Sequence, residues 1–248
     1  MGSVKSGLRY AACRLLGPLL RHVPVRRWPA WAGSLFEIKV PANVARRAVT
    51  APDGGANINV IFDLLDRVRH LPGDLAECGV FRGATLIPAA LDITRTAPDK
   101  QIVGFDSFAG FDSAIKADLA MGGDTDDQKR EGGFNQTSRA FVASRTEALG
   151  LGRNVHLMQG YFEQTLPAAP ERRYCFVHLD CDIYASYRQC LAYFFPRMTP
   201  GGILLLDEYN DPPWPGCNKA VDELLAERSE TVQPIAHDGY EKFYIVKS

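Results

Sequence analysis

The stretch FVHLDCDIY, Phe176 to Tyr184, decides the fold. It begins as an apolar run with the character of a buried β-strand, then meets two aspartates flanking a cysteine. If the chain stays extended, Asp180 and Asp182 point to one side and Cys181 to the other. Two carboxylates that close repel each other, so a positive group is expected between or near them.

Working outward, the same pattern recurs. Apolar runs at 74–80 (DLAECGV), 101–106 (QIVGFD), 154–160 (NVHLMQG), 173–180 (RYCFVHLD) and 201–209 (GGILLLDEY) read as strands. Helical stretches such as ATLIPAALDITRT, YRQCLAYFFPRM and KAVDELLAE lie between them, with another helix near 138–150. Strand–helix alternation of this kind gives a mostly parallel sheet covered on both faces. The tail TVQPIAHDGYEKFYIVKS offers two further strands joined only by a turn, hence an antiparallel hairpin at one edge and seven strands in all. A polar stretch with many Gly and Asp, about 107–137, reads as a long loop or lid.

Ligands of an open α/β sheet bind beyond the carboxyl ends of its strands. Here those ends read ECGVFRGAT, FDSF, QGYF, LDCD and LDEY, and four of the five carry a carboxylate. Gly79 and Gly83 fall between a strand and a helix, where backbone approaches a ligand closely and helix N–H groups are free. The spacing is not the G-x-G-x-x-G of a dinucleotide site, which argues against a nicotinamide-dependent oxidoreductase. Asp106, ending the second strand, stands where a carboxylate accepts from the two vicinal hydroxyls of a ribose. Asp180, Asp182, Asp207 and Glu208 end neighbouring strands, and converging oxygen ligands suit Mg²⁺ or Mn²⁺ better than Zn²⁺. His178 turns to the same side as Asp180 and is read as a core histidine, with a place in the site as the alternative.

The chain has 248 residues, 46% hydrophobic and 23% charged, with a formal net charge of −1. That balance argues for no nucleic-acid partner. The charge is uneven, however: residues 1–47 carry nine Lys/Arg against one acid, Glu37. This basic extension, about 1–50, is expected to be helical and to precede a single domain at 51–248. The six cysteines show neither CxxC nor zinc spacing, which implies a reducing, cytoplasmic setting. No run approaches a membrane span, so no integral membrane association is expected. Trp28 and Trp31 are expected to pack; Trp214, in NDPPWPG beyond the last acids, either packs or touches substrate.

In GDLAECGVFRGAT, VGFDSFAGF, LMQGYFEQTLP, HLDCDIYASYRQCLAYFFPRMTPGGILLLDEYN and NKAVDELL the chain resembles the macrocin O-methyltransferase (TylF-type) family. These stretches cover roughly residues 73–225 in order. The family's enzymes use S-adenosylmethionine (SAM) and Mg²⁺ to methylate sugar hydroxyls of natural products. The resemblance implies a single Rossmann-like class I SAM-dependent methyltransferase domain. It implies that Glu77, Gly79 and Gly83 line the methionine part of the cofactor. Asp106 then holds the ribose, with Ser107 and Phe108 beside it, and Gly160, Tyr161 and Phe162 border the adenine. Asp180, Asp207 and Glu208 become metal ligands and Asp182 the general base, with Cys181 left to packing. The family usually carries Asp-Asp where this chain has Asp207-Glu208. The implied partner is a small acceptor with vicinal hydroxyls, in a homo-oligomer. Two alternatives are a catechol-type O-methyltransferase with a phenolic acceptor and a SAM-binding scaffold without turnover.

Overall fold

The computed structural model describes residues 2–42, 57–121, 130–237 and 239–248. Seven strands form one sheet in the order β3-β2-β1-β4-β5-β7-β6. They are β1 (Asp74–Cys78), β2 (Ile102–Asp106), β3 (Val155–Gln159), β4 (Tyr174–Leu179), β5 (Met198–Leu206), β6 (Val232–His237) and β7 (Tyr240–Val246). The first five pair in parallel, while β7 runs antiparallel between β5 and β6. This is the mixed, mostly parallel sheet with a terminal hairpin that the sequence implied.

The reason β4 sits in the middle is legible in its residues. All six are buried, so both faces must be covered by helices. The helices are α1 (Gly2–Leu20), α2 (Ala30–Phe36), α3 (Asn57–Val68), α4 (Leu86–Thr96), α5 (Ile115–Leu119), α6 (Arg139–Ala148), α7 (Phe162–Ala168), α8 (Tyr184–Phe194) and α9 (Pro215–Leu225). One apolar cluster combines α3 and α4 residues such as Leu64, Leu65 and Ile87 with Leu75, Phe176 and Leu205 of the sheet. The other joins Val177, Leu179 and Leu204 to Tyr187, Leu191 and Phe194 of α8 and Val221 of α9. Start signals behave as local chemistry requires. Ser138, for instance, caps α6 by accepting from the Phe141 N–H at 3.1 Å.

The N-terminal extension is helical, and Cys13, Leu20, Trp28 and Phe36 enter the first core cluster. The part of the extension at 43–50 lies outside the described residues. Trp28 packs as expected, at 1% exposure, with its indole N–H donating to Val23 O. Trp31 does not: it is 56% exposed, because it stands on the side of α2 opposite the buried Ala32 and Phe36. The stretch 107–137, read from sequence as a loop or lid, contains the short helix α5, and residues 122–129 within it are not described. The six cysteines are free and buried. No helix among the described residues is long and apolar enough to cross a membrane.

Candidate active site

The carboxyl ends of β1, β2, β3 and β4 open into one cleft of about 400 Å³. It is lined by Gly79, Asp106, Ser107, Gly160, Tyr161, Phe162, Asp180 and Asp182 among the residues singled out from sequence. Glu77, Gly83, Phe108, Asp207 and Glu208 stand behind that wall rather than on it. Lys39, Arg82, Thr85, Phe111, Phe134 and Gln189 complete it from other parts of the chain.

The turn after β1 is shaped by contact with the end of β4. Gly79 has φ 91°, and a Cβ there would lie 1.6 Å from the Asp180 carbonyl oxygen. Only glycine lets β1 and β4 approach this closely just where both turn toward the cleft. Asp106 knits the loops after β1 and β2 together. Its Oδ2 accepts from the Phe81 N–H and its Oδ1 from the Phe108 N–H, each at 2.6 Å. Burial raises its pKa, and these backbone donors only partly offset the rise. The carboxylate also lines the cleft.

Behind the cleft a buried polar chain crosses the sheet. Thr85 Oγ1 donates to Glu77 Oε1 at 2.9 Å. Glu77 Oε2 lies 3.4 Å from His178 Nδ1, and His178 Nε2 lies 3.3 Å from Asp207 Oδ1. Lys242 on β7 then donates to Asp207 Oδ2 at 3.0 Å and to its carbonyl oxygen at 2.7 Å. The register explains the link from Glu77 to His178, since the two are partners across β1 and β4. Burial pulls the imidazole down, but bonds to Asp207 and Glu77 outweigh it and lift His178 to about 10. It is therefore a charged link between two acids rather than inert core filling. His178 is buried, as a core histidine should be, with Glu77 and Asp207 as its partners.

Asp180 and Asp207 follow Leu179 and Leu206, which are partners across β4 and β5, so their carboxylates are neighbours. Ligand atoms of His178, Asp180 and Asp207 all lie within 4.8 Å of one another. Burial, then repulsion from Asp207, raises Asp180 to about 6. Asp207 moves the other way: burial opposes its ionisation, but Lys242 and His178 hold it well below the usual range. The donor chemistry fits a hard divalent cation: two converging carboxylates, one of them destabilised by the other. His178, whose nitrogens face acids, orients Asp207 rather than offering a lone pair.

Glu208 behaves differently from its sequence expectation. Its Oε2 lies 2.5 Å from Tyr187 Oη on α8, and its atoms are outside the converging group. Burial and then Asp182, Asp180 and Asp207 drive its carboxyl pKa far up. The extra methylene lets the carboxyl fold back into the α8 side of the core. Asp182 faces the cleft with φ 61°, in the left-handed region. Cys181 is buried at 5%, as packing requires. Trp214 meets Phe111 in a tilted ring contact at 5.8 Å, and Phe111 is itself on the cleft wall.

Sequence reasoning missed Lys39, Thr85, Tyr187 and Lys242. Lys39 is delivered by the extension, where its N–H donates to Ala84 O at 2.8 Å. Arg145 anchors that segment through Phe36 O at 2.6 Å. The available signal for Lys242 was a lysine next to the apolar run Phe243–Val246 of the last strand.

Fold and site together define a class I Rossmann-like methyltransferase domain, with its ligand cleft at the carboxyl ends of the parallel strands. The macrocin O-methyltransferase (TylF) family matches residues 54–243, and the chain belongs to that family. Among curated relatives, mycinamicin III 3''-O-methyltransferase of Micromonospora griseorubida is 32% identical over 160 residues, 62% of this chain and 60% of that enzyme. A Streptomyces olivaceus 4'-O-methyltransferase of 8-demethyl-8-(2,3-dimethoxy-alpha-L-rhamnosyl)-tetracenomycin C is 31% identical over 148 residues, 56% of this chain and 54% of that enzyme. The chain thus spans less than two thirds of either relative. The crystal structure of a calicheamicin methyltransferase shares the fold, with TM-score 0.66, 21% identity, and coverage of 82% of this chain and 90% of that one.

Proposed function

We propose that the protein transfers a methyl group from SAM to a sugar hydroxyl of a natural product or glycoside, with Mg²⁺ or Mn²⁺ as the metal. The observation that carries this reading is the meeting of Asp106, Asp180 and Asp182 on the wall of one cleft, in a chain of this family. Asp106 binds the ribose hydroxyls beside Ser107; Gly160, Tyr161 and Phe162 border the adenine; the turn at Gly79 receives the methionine end. Asp180 and Asp207 would hold the divalent cation, which when bound would supply positive charge to acidify the acceptor hydroxyl.

Asp182 takes the hydroxyl proton on its carboxylate as the oxygen–carbon bond forms and the sulfur–carbon bond breaks. The remaining residues hold geometry. His178 and Lys242 fix Asp207, and Phe81, Phe111 and Phe134 offer an apolar wall to the acceptor. Holding the reacting atoms in line accounts for much of the acceleration. The sugar reading is preferred to the catechol-type alternative because a relative's own name specifies a rhamnosyl acceptor. Asp182→Asn tests it: SAM affinity should stay within about twofold, while turnover falls by the 10²–10⁴-fold typical of a lost general base. Unchanged turnover would remove Asp182 from the reaction.

A further inference from the structure

We propose that Asp118, on the lid helix α5, is the positioning residue that fixes the candidate base Asp182 by capping helix α8. Asp118 Oδ1 accepts from the backbone N–H of Tyr184 at 2.8 Å, across 66 residues of sequence. Tyr184 is the first residue of α8 and lies two beyond Asp182. Ile183, at the N-cap position, has no side chain able to satisfy that end. The lid therefore does what a local Ser or Asp normally does.

Three further features tie this contact to Asp182. Asp182 is a non-glycine residue at φ 61°, a conformation that persists only where its surroundings hold it. Upstream, the Asp180 N–H donates to Cys78 O at 2.9 Å; within the turn, the Ile183 N–H donates to Cys181 O at 2.7 Å. Downstream, the bond to Asp118 ties the turn to α5. Next, α9 is bare where it meets this contact. A Cβ on Gly216 would lie 2.1 Å from Asp118 Oδ1 and 2.8 Å from Tyr184 Cβ. Finally, Asp118 is only 4% exposed and its Oδ2 has no hydrogen-bond partner. A carboxylate is an expensive group to bury half-satisfied, so its position is fixed by what its other oxygen does.

The inference rests on Asp182 being the base, and the experiment separates the two. Asp118→Ala and Asp118→Asn are compared with Asp182→Asn for SAM affinity, kcat, KM for a glycoside acceptor and the pH profile of kcat. Asp118→Asn keeps an acceptor for Tyr184 and should stay near wild type. Asp118→Ala should lose about 10- to 100-fold in kcat, as a displacement of about 1 Å does. Its SAM affinity should hold within about twofold, the acidic limb of its pH profile should shift, and deuterium exchange across 180–187 should speed up. Should Asp118→Ala fail to fold, Gly216→Ala applies the same displacement from α9 and should give the same kinetic split. Equal, wild-type kcat in the Asp118 variants beside an inactive Asp182→Asn overturns the role of Asp118 alone. A uniform fall in SAM affinity, kcat and stability, with an unmoved pH profile, overturns it too. An active Asp182→Asn overturns the underlying reading instead.

Discussion

Replacing Lys242 of β7 by methionine removes the ammonium while keeping most of the aliphatic stem. In the wild type Nζ sits 3.0 Å from Asp207 Oδ2, with side-chain exposures of 21% and 16%. At an effective dielectric of about 20, unit charges that close attract by about 5 kcal/mol, and desolvation offsets part of this. Breaking such a pair from one side destabilises by about 3–5 kcal/mol; since His178 still supports Asp207, the lower figure applies. For a domain of this size about 3 kcal/mol lowers Tm by roughly 6–12 °C. The loss should depend on metal. A divalent cation held by Asp180 and Asp207 would restore the missing positive charge and would no longer face a competing ammonium. Calorimetric melts of both proteins in EDTA and in saturating Mg²⁺ should therefore show a wide gap in the first and a narrow one in the second. The apparent Mg²⁺ affinity of Lys242→Met should exceed that of wild type. Equal gaps under the two conditions refute the idea that these acids form a cation site.

Gly79→Ala places a methyl group against the Asp180 carbonyl oxygen at a positive φ, so urea unfolding should show a loss above about 3 kcal/mol, or no folded protein. His178, ordinarily near 6.5, is held at about 10 in the fold. Its contribution to stability is whole below 6.5 and drains away as pH rises through 10. Metal-free denaturation curves should show that decline in wild type and lack it in His178→Asn. With Asp180 raised to about 6, protons compete with metal there. Mg²⁺ affinity should fall by about tenfold per unit as pH drops further below that point, measured by titration calorimetry.

Much of the sheet was legible because its signals are local. Apolar runs that end in Asp106, Asp180 and Asp207 mark both the strands and the edge where a ligand binds, and sequence order then gives the parallel pairing. What the sequence hid is long-range or rotameric. The link from Glu77 through His178 to Asp207 and Lys242 joins residues 165 positions apart, and no spacing rule connects them. Lys39 reaches the cleft only because Arg145 and the Ala84 carbonyl pin the segment carrying it. Glu208 was visible as a carboxylate, but its turn toward Tyr187 follows from the pocket that α8 offers. Trp31 illustrates the converse: a tryptophan invites a packing reading, while the face of α2 it occupies is set by Ala32 and Phe36.

Methyl transfer itself tests the central claim most directly. SAM carrying an isotopically labelled methyl would be incubated with the protein, Mg²⁺ and a panel of rhamnosyl and other glycosides, and products read by mass spectrometry. Label on a sugar hydroxyl, lost in EDTA and lost in Asp182→Asn, is the expected result. Label on a phenolic acceptor alone, or label on sugars that persists in EDTA, would contradict a metal-assisted sugar O-methyltransferase.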